Sequence, residues 1–454
     1  RLSPAGGLTV SDIPTQIDST NKRAAPGFLK SVGLWVHNLQ PQPNAMWGTT
    51  PPISSWNALQ DRLRQDYTVK AVDLTSGRVP GDVDVLVLVA PQGMTDIERF
   101  GVHHFLMRGG AVVAAAGNFA LSQQQMPGGL TVDPLADGLQ EMFDSYGVEV
   151  RETMVMDPRN EPFPVQVQRQ AGAMSVIEIQ ELDYPFFVDV RPDSMDKESP
   201  IVSNLPAVTM HWSSPIAVDE AQNAARDVSV LLQSTEQSWL RDSTDIQPDT
   251  DLYPEYGFPL EGEQAARPLA VAIRGSFDSF FKGKASPFET GATDSTEAGP
   301  PAEPTVEAPL GTIESSPETA RLVVIGSAEF IDDVVLDISS QLSPDRYLNN
   351  LQFVQNAVDW SVEDQDLLGI RSRGTFARLL KPLEQDDQSL WEGVNYGLAL
   401  VALVAIGGVW TWRRRRQRPM FDVSGAPVDD APADGGIPPD DEPEGSDAQG
   451  GSDD

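Results

Sequence analysis

Residues 83–116 read VDVLVLVAPQGMTDIERFGVHHFLMRGGAVVAAA, and this stretch contains a strand, a helix and a second strand in succession. The runs Val83–Ala90 and Ala111–Ala116 are almost continuously apolar. Such runs are typical of strands that helices cover on both faces of a parallel sheet, because neither face of the strand meets water. The stretch therefore predicts one β-α-β unit of an α/β fold.

The segment between these two strands carries its own start and stop signals. Thr95 and Glu98 have the spacing of a capping box, in which each side chain accepts a hydrogen bond from the other residue's backbone. The predicted helix runs through Met107 and ends at Gly109-Gly110, since glycine adopts the left-handed conformation of a helix C-cap without a steric penalty.

The same alternation continues on both sides of this unit and predicts a doubly wound, mostly parallel sheet over about residues 30–160. A β-rich insertion or extension of the sheet follows at about 160–280, and a late strand and helix are expected to return to the first sheet. The predicted strands are Val32–Val36, Tyr67–Leu74, Val148–Val150, Met174–Ile179, Phe186–Val190, Val228–Gln233, Leu269–Ile273 and Arg321–Gly326; the further helices are Ser55–Leu63, Pro134–Tyr146 and Leu351–Trp360.

A second decisive stretch lies near the C-terminus. Residues Gly393–Trp412 (GVNYGLALVALVAIGGVWTW) carry no charge over a length that spans roughly 30 Å as a helix, the thickness of a bilayer's hydrocarbon core. Aromatic residues lie at both ends of the stretch: Trp391 and Tyr396 at one end, and Trp410 and Trp412 at the other. Arginines follow directly; they are Arg413, Arg414, Arg415, Arg416 and Arg418. The pattern predicts a transmembrane helix whose arginine end lies in the cytoplasm, so the region before it lies outside.

These signals divide the chain into an irregular lead-in (1–30), an extracytoplasmic α/β domain (31–380), the membrane helix (393–412) and a cytoplasmic end (413–454). Within the domain, residues 284–318 are rich in Pro, Glu, Thr, Ser and Ala, which predicts a flexible loop. The basic cluster is followed by an acidic tail rich in Pro and Gly, which predicts disorder because such a segment buries too little apolar surface. We expect the protein to be anchored in a bacterial inner membrane, in contact with lipid.

Composition excludes several classes of function. The net charge of −35 argues against nucleic acid as a partner, because phosphates repel an acidic surface. The chain has no cysteine, which removes disulfides, thiolate metal sites and a cysteine nucleophile. It also has no Gly-rich phosphate-binding loop, so it is not itself an ATPase. We expect no cofactor.

Several segments in their order resemble one family. They are VPGDVDVLVLVAP (79–91), MTDIERFGVHHFLMRGGAVV (94–113), SYGVEV (145–150), RLVVIGSAEF (321–330), NNLQFVQNAVDW (349–360) and DLLGIRSRG (366–374). Together with the final helix they resemble the GldG-like family of auxiliary subunits of ABC transporters, first linked to gliding motility. The resemblance implies a Rossmann-like domain similar to the glutamine amidotransferase fold, with no known catalytic machinery, and a separate permease and ATPase as partners. One departure is Gly326–Phe330 (GSAEF), where the family often has Gly-Asp-Ser-Asp-Phe.

Three carboxylates follow the late strand and form the candidate site: Glu329, Asp332 and Asp333. Carboxylate oxygens at a strand end could bind a divalent cation. Acids at a helix N-terminus give the same pattern for a structural reason, because they complement the helix dipole. The structural interpretation is favoured.

The remaining candidates for chemistry are weaker. Ser327 follows the same strand but lacks the Gly-x-Ser-x-Gly pattern of a nucleophile. His103 and His104 are neighbours on a helix and point about 100° apart, so packing is favoured over joint metal binding. His211-Trp212 could stack on a sugar, but core packing is favoured.

The sequence therefore favours a non-catalytic auxiliary subunit of an ABC transporter whose outer domain binds a substrate or an envelope partner. Two alternatives remain open. One is an envelope glycan or peptidoglycan hydrolase, which needs paired acids in a cleft; the other is a structural or sensing module that signals through the helix to the tail.

Overall fold

The computed structural model describes residues 29–37, 42–44, 48–50, 54–123, 130–135, 138–171, 174–284, 287–290, 313–341, 346–362 and 385–416. Contacts divide the chain into two units, Arg1–Leu379 and Leu380–Asp454. The predicted tail from residue 417 and nearly all of the predicted lead-in lie outside the described residues.

The first unit contains nineteen short strands and six helices, and the second contains one long helix, among the described residues. The strands are β1 (Ser31–Val36), β2 (Gln42–Asn44), β3 (Gly48–Thr50), β4 (Thr68–Ala71), β5 (Val85–Val89), β6 (Ala111–Ala115), β7 (Phe119–Gln123), β8 (Leu130–Pro134), β9 (Val148–Val150), β10 (Met154–Met156), β11 (Phe163–Ala171), β12 (Met174–Leu182), β13 (Phe187–Val190), β14 (Val208–His211), β15 (Ile216–Val218), β16 (Asp227–Gln233), β17 (Trp239–Arg241), β18 (Pro268–Arg274) and β19 (Arg321–Ile325). The helices are α1 (Asn57–Arg64), α2 (Asp96–Met107), α3 (Gln140–Ser145), α4 (Pro287–Thr290), α5 (Asp333–Ser340), α6 (Tyr347–Ser361) and α7 (Gln385–Arg416), with 3₁₀ turns at Pro192–Ser194 and Glu329–Ile331.

A seven-stranded sheet with the order β16-β18-β19-β6-β5-β1-β4 forms the centre of the first unit. The five strands from β19 to β4 are parallel, and β18 and β16 extend the sheet in antiparallel fashion at one edge. Counted along the chain, the parallel strands have the order 2-1-3-4-5, which is a doubly wound order. The prediction that the late strand returns to the first sheet is confirmed, because β19 pairs with β6 from Arg321↔Ala111 to Ile325↔Ala115.

Apolar side chains cover both faces of this sheet, which explains why the strand sequences are continuous apolar runs. On one face, Val85, Val87 and Val89 of β5 join the same core as α1 and α6. On the other face, Leu86 and Leu88 join the core that contains α2 and α3. Alternate residues of one strand thus enter two different cores, as the period of two requires.

Helix α2 forms where its sequence signals place it. The Thr95 N–H donates to the Glu98 carboxylate at 2.8 Å, and the Glu98 N–H donates to the Thr95 hydroxyl at 3.3 Å, which completes the capping box. At the other end Gly109 has φ +88°, and the Gly110 N–H donates to the Phe105 carbonyl at 3.0 Å. This is a Schellman cap, so both predicted helix boundaries are confirmed.

The β-rich insertion in the middle of the chain forms part of the central sheet and several separate ribbons. Strands β16 and β18 extend the central sheet, while the other strands of the insertion form two-stranded ribbons, for example β13 with β14 and β11 with β12. An aromatic-rich core lies beneath these ribbons and includes Tyr184, Trp212, Trp239 and Phe258.

Two segments differ from their predictions. The helix expected at Pro134–Tyr146 is shorter, because Leu130–Pro134 pairs with β7 as a ribbon and the helix begins only at Gln140. The end of the predicted flexible loop is ordered: the Ser316 N–H donates to the Phe277 carbonyl at 2.9 Å, and Ser315 forms a β-bridge with Asp278. Residues 285–286 and 291–312 of that loop lie outside the described residues.

Candidate functional site

The candidate acids follow β19 at the carboxyl edge of the central sheet. Glu329 lies in the 3₁₀ turn, Asp332 is the N-cap of α5, and Asp333 begins that helix. The carboxyl edge of a doubly wound sheet is where ligands usually bind, so this is the position at which a site is expected.

Asp332 accepts hydrogen bonds from two segments, the start of α5 and the residues just before α1. One carboxylate oxygen accepts from the Val334 N–H at 2.8 Å, which is an ordinary N-cap bond, and the other accepts from the Ser55 N–H at 3.1 Å. Burial raises the pKa of Asp332 to about 6, although these donors oppose the shift. Both oxygens are therefore occupied by the protein's own backbone.

Asp333 caps a different helix from the one it belongs to. Its carboxylate accepts from the backbone N–H groups of Asn57 and Ala58 at 2.9 Å each, and from the Ser55 hydroxyl at 2.8 Å. Helix α1 has no side-chain cap of its own at Trp56, so Asp333 satisfies its first N–H groups from across the core. The helix-terminal interpretation of these acids agrees with this geometry.

Glu329 is different because its carboxyl group is buried without a hydrogen bond of ordinary geometry to any described residue. Burial, and next the charge of Asp332, raise the pKa of Glu329 well above its usual range, while the backbone of Leu121 opposes the shift. A carboxyl group in such a place is stable as the neutral acid.

These contacts decide what the acidic turn can do. Asp332 is a buried hydrogen-bond acceptor, Asp333 is a half-buried one, and Glu329 is sealed from solvent. Among the residues that the structure describes, no group of three or more His, Cys, Asp or Glu side chains is arranged to hold a metal ion. The described contacts thus give Asp332 and Asp333 the role of helix caps.

Ser327 and His211 come together, but not as a nucleophile and a base. The Ser327 hydroxyl donates to the backbone carbonyl of His211 at 2.7 Å and accepts from the Phe330 N–H at 3.3 Å. Burial, and next the charge of Arg346, lower the pKa of the His211 imidazole to about 3. His211 and Trp212 are fully buried, as core packing predicted, so neither offers a surface for stacking a sugar.

His103 and His104 occupy different environments on α2. The His103 ring lies 2.9 Å from the Tyr146 hydroxyl and 3.0 Å from the Ser279 hydroxyl, and burial lowers its pKa to about 4. His104 stacks on Phe100 with ring centroids 5.8 Å apart. Packing therefore accounts for both histidines.

A nucleophile of the amidotransferase type would stand on a strained turn. Among the described residues other than glycine, two adopt a positive φ: Ala90 at 49° and Trp212 at 42°. Neither side chain is a nucleophile. Ala90 follows β5 and lies beside the point where the strand order reverses, between β1 and β5.

Backbone packing closes the neighbouring part of the carboxyl edge. A methyl group on Gly117 would lie 2.6 Å from the Gly326 carbonyl oxygen, and one on Gly326 would lie 2.1 Å from the Ser214 carbonyl oxygen. The Ser214 N–H also donates to the Gly326 carbonyl at 2.7 Å. The insertion thus covers the ends of β6 and β19.

A buried ion-pair network, which the sequence pattern did not reveal, joins the insertion to the helices. Arg346 lies 2.9 Å from the Glu161 carboxylate and 2.7 Å from the Asp189 carboxylate, and their side chains are 10%, 2% and 4% exposed. Arg191 pairs with Asp189 from the other side at 2.6 Å, and Thr209 donates to Glu161 at 2.6 Å. Two arginines and two acids therefore balance in charge, and the network joins four segments of the chain.

The second unit presents the predicted membrane helix. Within α7, Gly393–Arg414 is long and apolar enough to cross a bilayer, and none of this window is buried. The flanking rings are exposed as well, with Trp391 at 57% and Tyr396 at 75%. An apolar helix with this exposure needs an apolar environment.

A protein-family model described as an ABC-type uncharacterized transport system matches residues 30–360. The chain belongs to this family. The matched region covers the entire central sheet of the transport-system protein and ends at residue 360, before α7 begins at Gln385. The expected resemblance to transporter auxiliary subunits is thereby confirmed at the level of the family.

Individual relatives are distant. An uncharacterized protein of Borreliella burgdorferi is 20% identical over 174 residues, which are 38% of this chain and 32% of that protein, so the chain spans about a third of that relative's length. A solved structure of the mmIFT52 N-terminal domain is 13% identical with a TM-score of 0.36, over 73% of this chain and 97% of that one. A ThuA-like protein from Bacteroides uniformis is 11% identical with a TM-score of 0.34, over 79% of this chain and 95% of that one.

Proposed function

We propose that this family member is a membrane-anchored, non-catalytic auxiliary subunit of an ABC transporter, of the GldG-like type. Its outer domain binds a substrate or an envelope partner, and separate chains supply the permease and the ATPase. The observation that carries the proposal is the exposed apolar window Gly393–Arg414 in a chain whose residues 30–360 match a transport-system family.

The proposed orientation follows from the flanks of α7. Five arginines at positions 413–416 and 418 follow the uncharged stretch 393–412, and clusters of this kind remain in the cytoplasm. The α/β domain is then on the outer side of a bacterial inner membrane, and the acidic tail is inside. The aromatic rings on both sides of the window suit the headgroup level of the bilayer.

The geometry of the α/β domain supports a binding role rather than catalysis. Its doubly wound strand order suits the Rossmann-like, amidotransferase-like fold that the GldG resemblance implies. Two positions that such a fold could use for a nucleophile do not provide one here. The Ser327 hydroxyl is hydrogen-bonded to a backbone carbonyl, and the residue on the strained turn is Ala90. The hydrolase alternative relied on Glu329, Asp332 and Asp333; Glu329 and Asp332 are buried, and Asp333 accepts hydrogen bonds from the first N–H groups of α1.

Co-purification tests the proposal. The full chain, tagged and extracted from native membranes in mild detergent, is expected to bring down a permease and an ATPase in fixed ratio. A matched control replaces residues 393–412 with an unrelated leucine-rich span, which keeps the anchor and removes the specific helix surface. Recovery of the native chain without either transporter component would contradict the proposal. Equal recovery with both spans would assign the contact to the outer domain.

A further inference from the structure

The open edge of the central sheet forms a groove that the function proposed above does not use. The groove has a volume of about 690 Å³ and lies along β16, the last strand in the sheet order. We call it the β16 groove. Its lining is formed by residues 215–218 of the β15 ribbon, residues 227, 228 and 230 of β16, residues 266–268 at the start of β18, and Arg151, Glu220, Asn223, Ala224 and Arg226.

The floor of the groove is apolar and the edge beside it is unpaired. Val228 and Val230 lie on the same face of β16, and Val230 is 37% exposed. At the far end of the strand, Met195 bridges to Leu232, and the Asp196 N–H donates to the Leu231 carbonyl at 3.3 Å. Within the described residues, no strand pairs with the outer edge of β16 before that point, which leaves a template for an added strand.

The rim of the groove is rich in arginine, which is notable in a chain with a net charge of −35. Three of the fifteen lining residues are arginines, against the two exposed acids Glu220 and Asp227. Arg226 is fixed in the wall, since it donates to the Tyr146 carbonyl at 2.6 Å.

The other two arginines have capacity for an acceptor. The Nε of Arg267 is buried without a hydrogen-bond partner among the described residues, and its Nη2 makes a long 3.4 Å bond to the Glu263 carbonyl. Arg151 pairs with Glu149 at 3.4 Å, with both side chains about half exposed. Exposed pairs of this kind contribute little, so an incoming carboxylate can replace the partner.

We infer that the β16 groove binds an extended acidic segment of a partner protein, which adds to β16 as a strand and places carboxylates on Arg151 and Arg267. An extended peptide that joins a sheet edge gains affinity from main-chain hydrogen bonds and specificity from alternate side chains. The apolar floor suits the side chains between the acids. The inference rests on the proposed function only in taking the partner to be another envelope protein.

Fluorescence anisotropy with a defined probe tests this inference. The probe is a labelled heptapeptide of alternating glutamate and valine, and the matched peptide carries lysine in place of glutamate. The purified full chain in detergent is expected to bind the acidic peptide and not the basic one, with affinity that falls as salt rises. Arg267→Glu and Arg151→Glu are each expected to weaken binding about tenfold.

Control variants separate binding from folding. Arg64→Glu makes the same charge change at an exposed arginine outside the groove and should leave the affinity within about twofold. Val230→Asp, at an exposed position, should weaken binding while preserving the tryptophan emission of the native fold. Arg151 is exposed, so its variant decides the question even if Arg267→Glu unfolds the protein.

Equal binding of both peptides, no binding of either, or equal losses in Arg64→Glu and Arg151→Glu would overturn the inference. These outcomes are distinct from a failure of the transporter proposal. Peptide binding without transporter co-purification would leave the groove assignment standing, and co-purification with no groove-dependent peptide binding would remove the groove assignment alone.

Discussion

Replacing Arg346 with methionine should remove the centre of the buried ion-pair network. The substitution keeps an unbranched side chain of similar reach but takes away the charge that faces both Glu161 and Asp189. Their carboxylates are 2% and 4% exposed, so water cannot readily replace the lost partner. Arg191 still faces Asp189, whereas Glu161 retains only hydroxyl donors.

The size of the effect follows from this burial. Removing one partner of a buried pair costs about 3–5 kcal/mol, because an uncompensated charge stays in a poorly solvated place. We expect the free energy of unfolding to fall by about 3 kcal/mol or more in Arg346→Met. The double variant Glu161→Gln with Arg346→Met should recover part of the loss, because it removes one of the stranded charges.

Urea titration of the full chain in mild detergent measures this loss. Trp212 and Trp239 are fully buried, so their emission reports unfolding of the α/β domain. Arg64→Met is the matched control, since Arg64 pairs with Asp61 at 3.4 Å where the two side chains are 53% and 74% exposed. A surface pair of this kind contributes about 0–1 kcal/mol.

Equal and small losses in Arg346→Met and Arg64→Met would refute the reasoning. That result would mean that the network is solvated in solution and does not connect the insertion to the helices. A double variant less stable than the sum of its single variants would also contradict the proposed pairing of Glu161 with Arg346.

Three further predictions concern single buried positions. Glu329→Met should stabilise the protein at pH 7 by about 1–3 kcal/mol, because an apolar side chain replaces a buried, unpartnered carboxyl group. Because the pKa of Glu329 is raised, the native state of the unsubstituted protein holds this proton more tightly than the unfolded state does, and the stability of that protein falls as pH rises above about 4.5. The stability gained by Glu329→Met should therefore be smaller at pH 4 than at pH 7. Urea titrations at both pH values measure this difference. Gly326→Ala should lower the free energy of unfolding by about 1–3 kcal/mol in the same titration, because its methyl group would lie 2.1 Å from the Ser214 carbonyl oxygen. The control Gly81→Ala meets no atom within 4 Å and should lower it little. Equal losses in the two variants would contradict the close packing. His103→Leu should cost about 1–3 kcal/mol, since it removes the hydrogen-bond partner of the buried Tyr146 hydroxyl and one of the two partners of the Ser279 hydroxyl. Thermal unfolding with no shift would show that these bonds are not formed.

Much of the central sheet could be predicted because its signals are local. A run such as Val85–Val89 is apolar on both faces, and the caps of α2 lie within a few residues of its ends. The position of α7 follows in the same way from its length and its flanking residues. These features depend on neighbours in sequence, so a single chain displays them.

The buried polar contacts could not be predicted because their partners are far apart. Asp333 caps α1 from 276 residues away, and Arg346 meets two acids that stand in the insertion. Helix α6 also buries Asn350 and Gln355, which a helical pattern would assign to a solvated face. No local period distinguishes a polar residue with a distant buried partner from one in water.

The β-rich insertion was the least predictable part of the fold. Short strands such as β15 and β17 have three residues each, too few for a period to appear. The antiparallel direction of β18 relative to β19 depends on the path of the intervening chain, which composition does not encode.

The orientation of the chain in the membrane is the central claim, and the absence of cysteine makes it directly measurable. Ser203→Cys places a unique thiol at an exposed position of the outer domain, and Ser424→Cys places one beyond the arginines. A membrane-impermeant maleimide added to intact spheroplasts should label Ser203→Cys at once and Ser424→Cys only after permeabilisation. Labelling of Ser424→Cys in intact spheroplasts, with Ser203→Cys protected, would contradict the account.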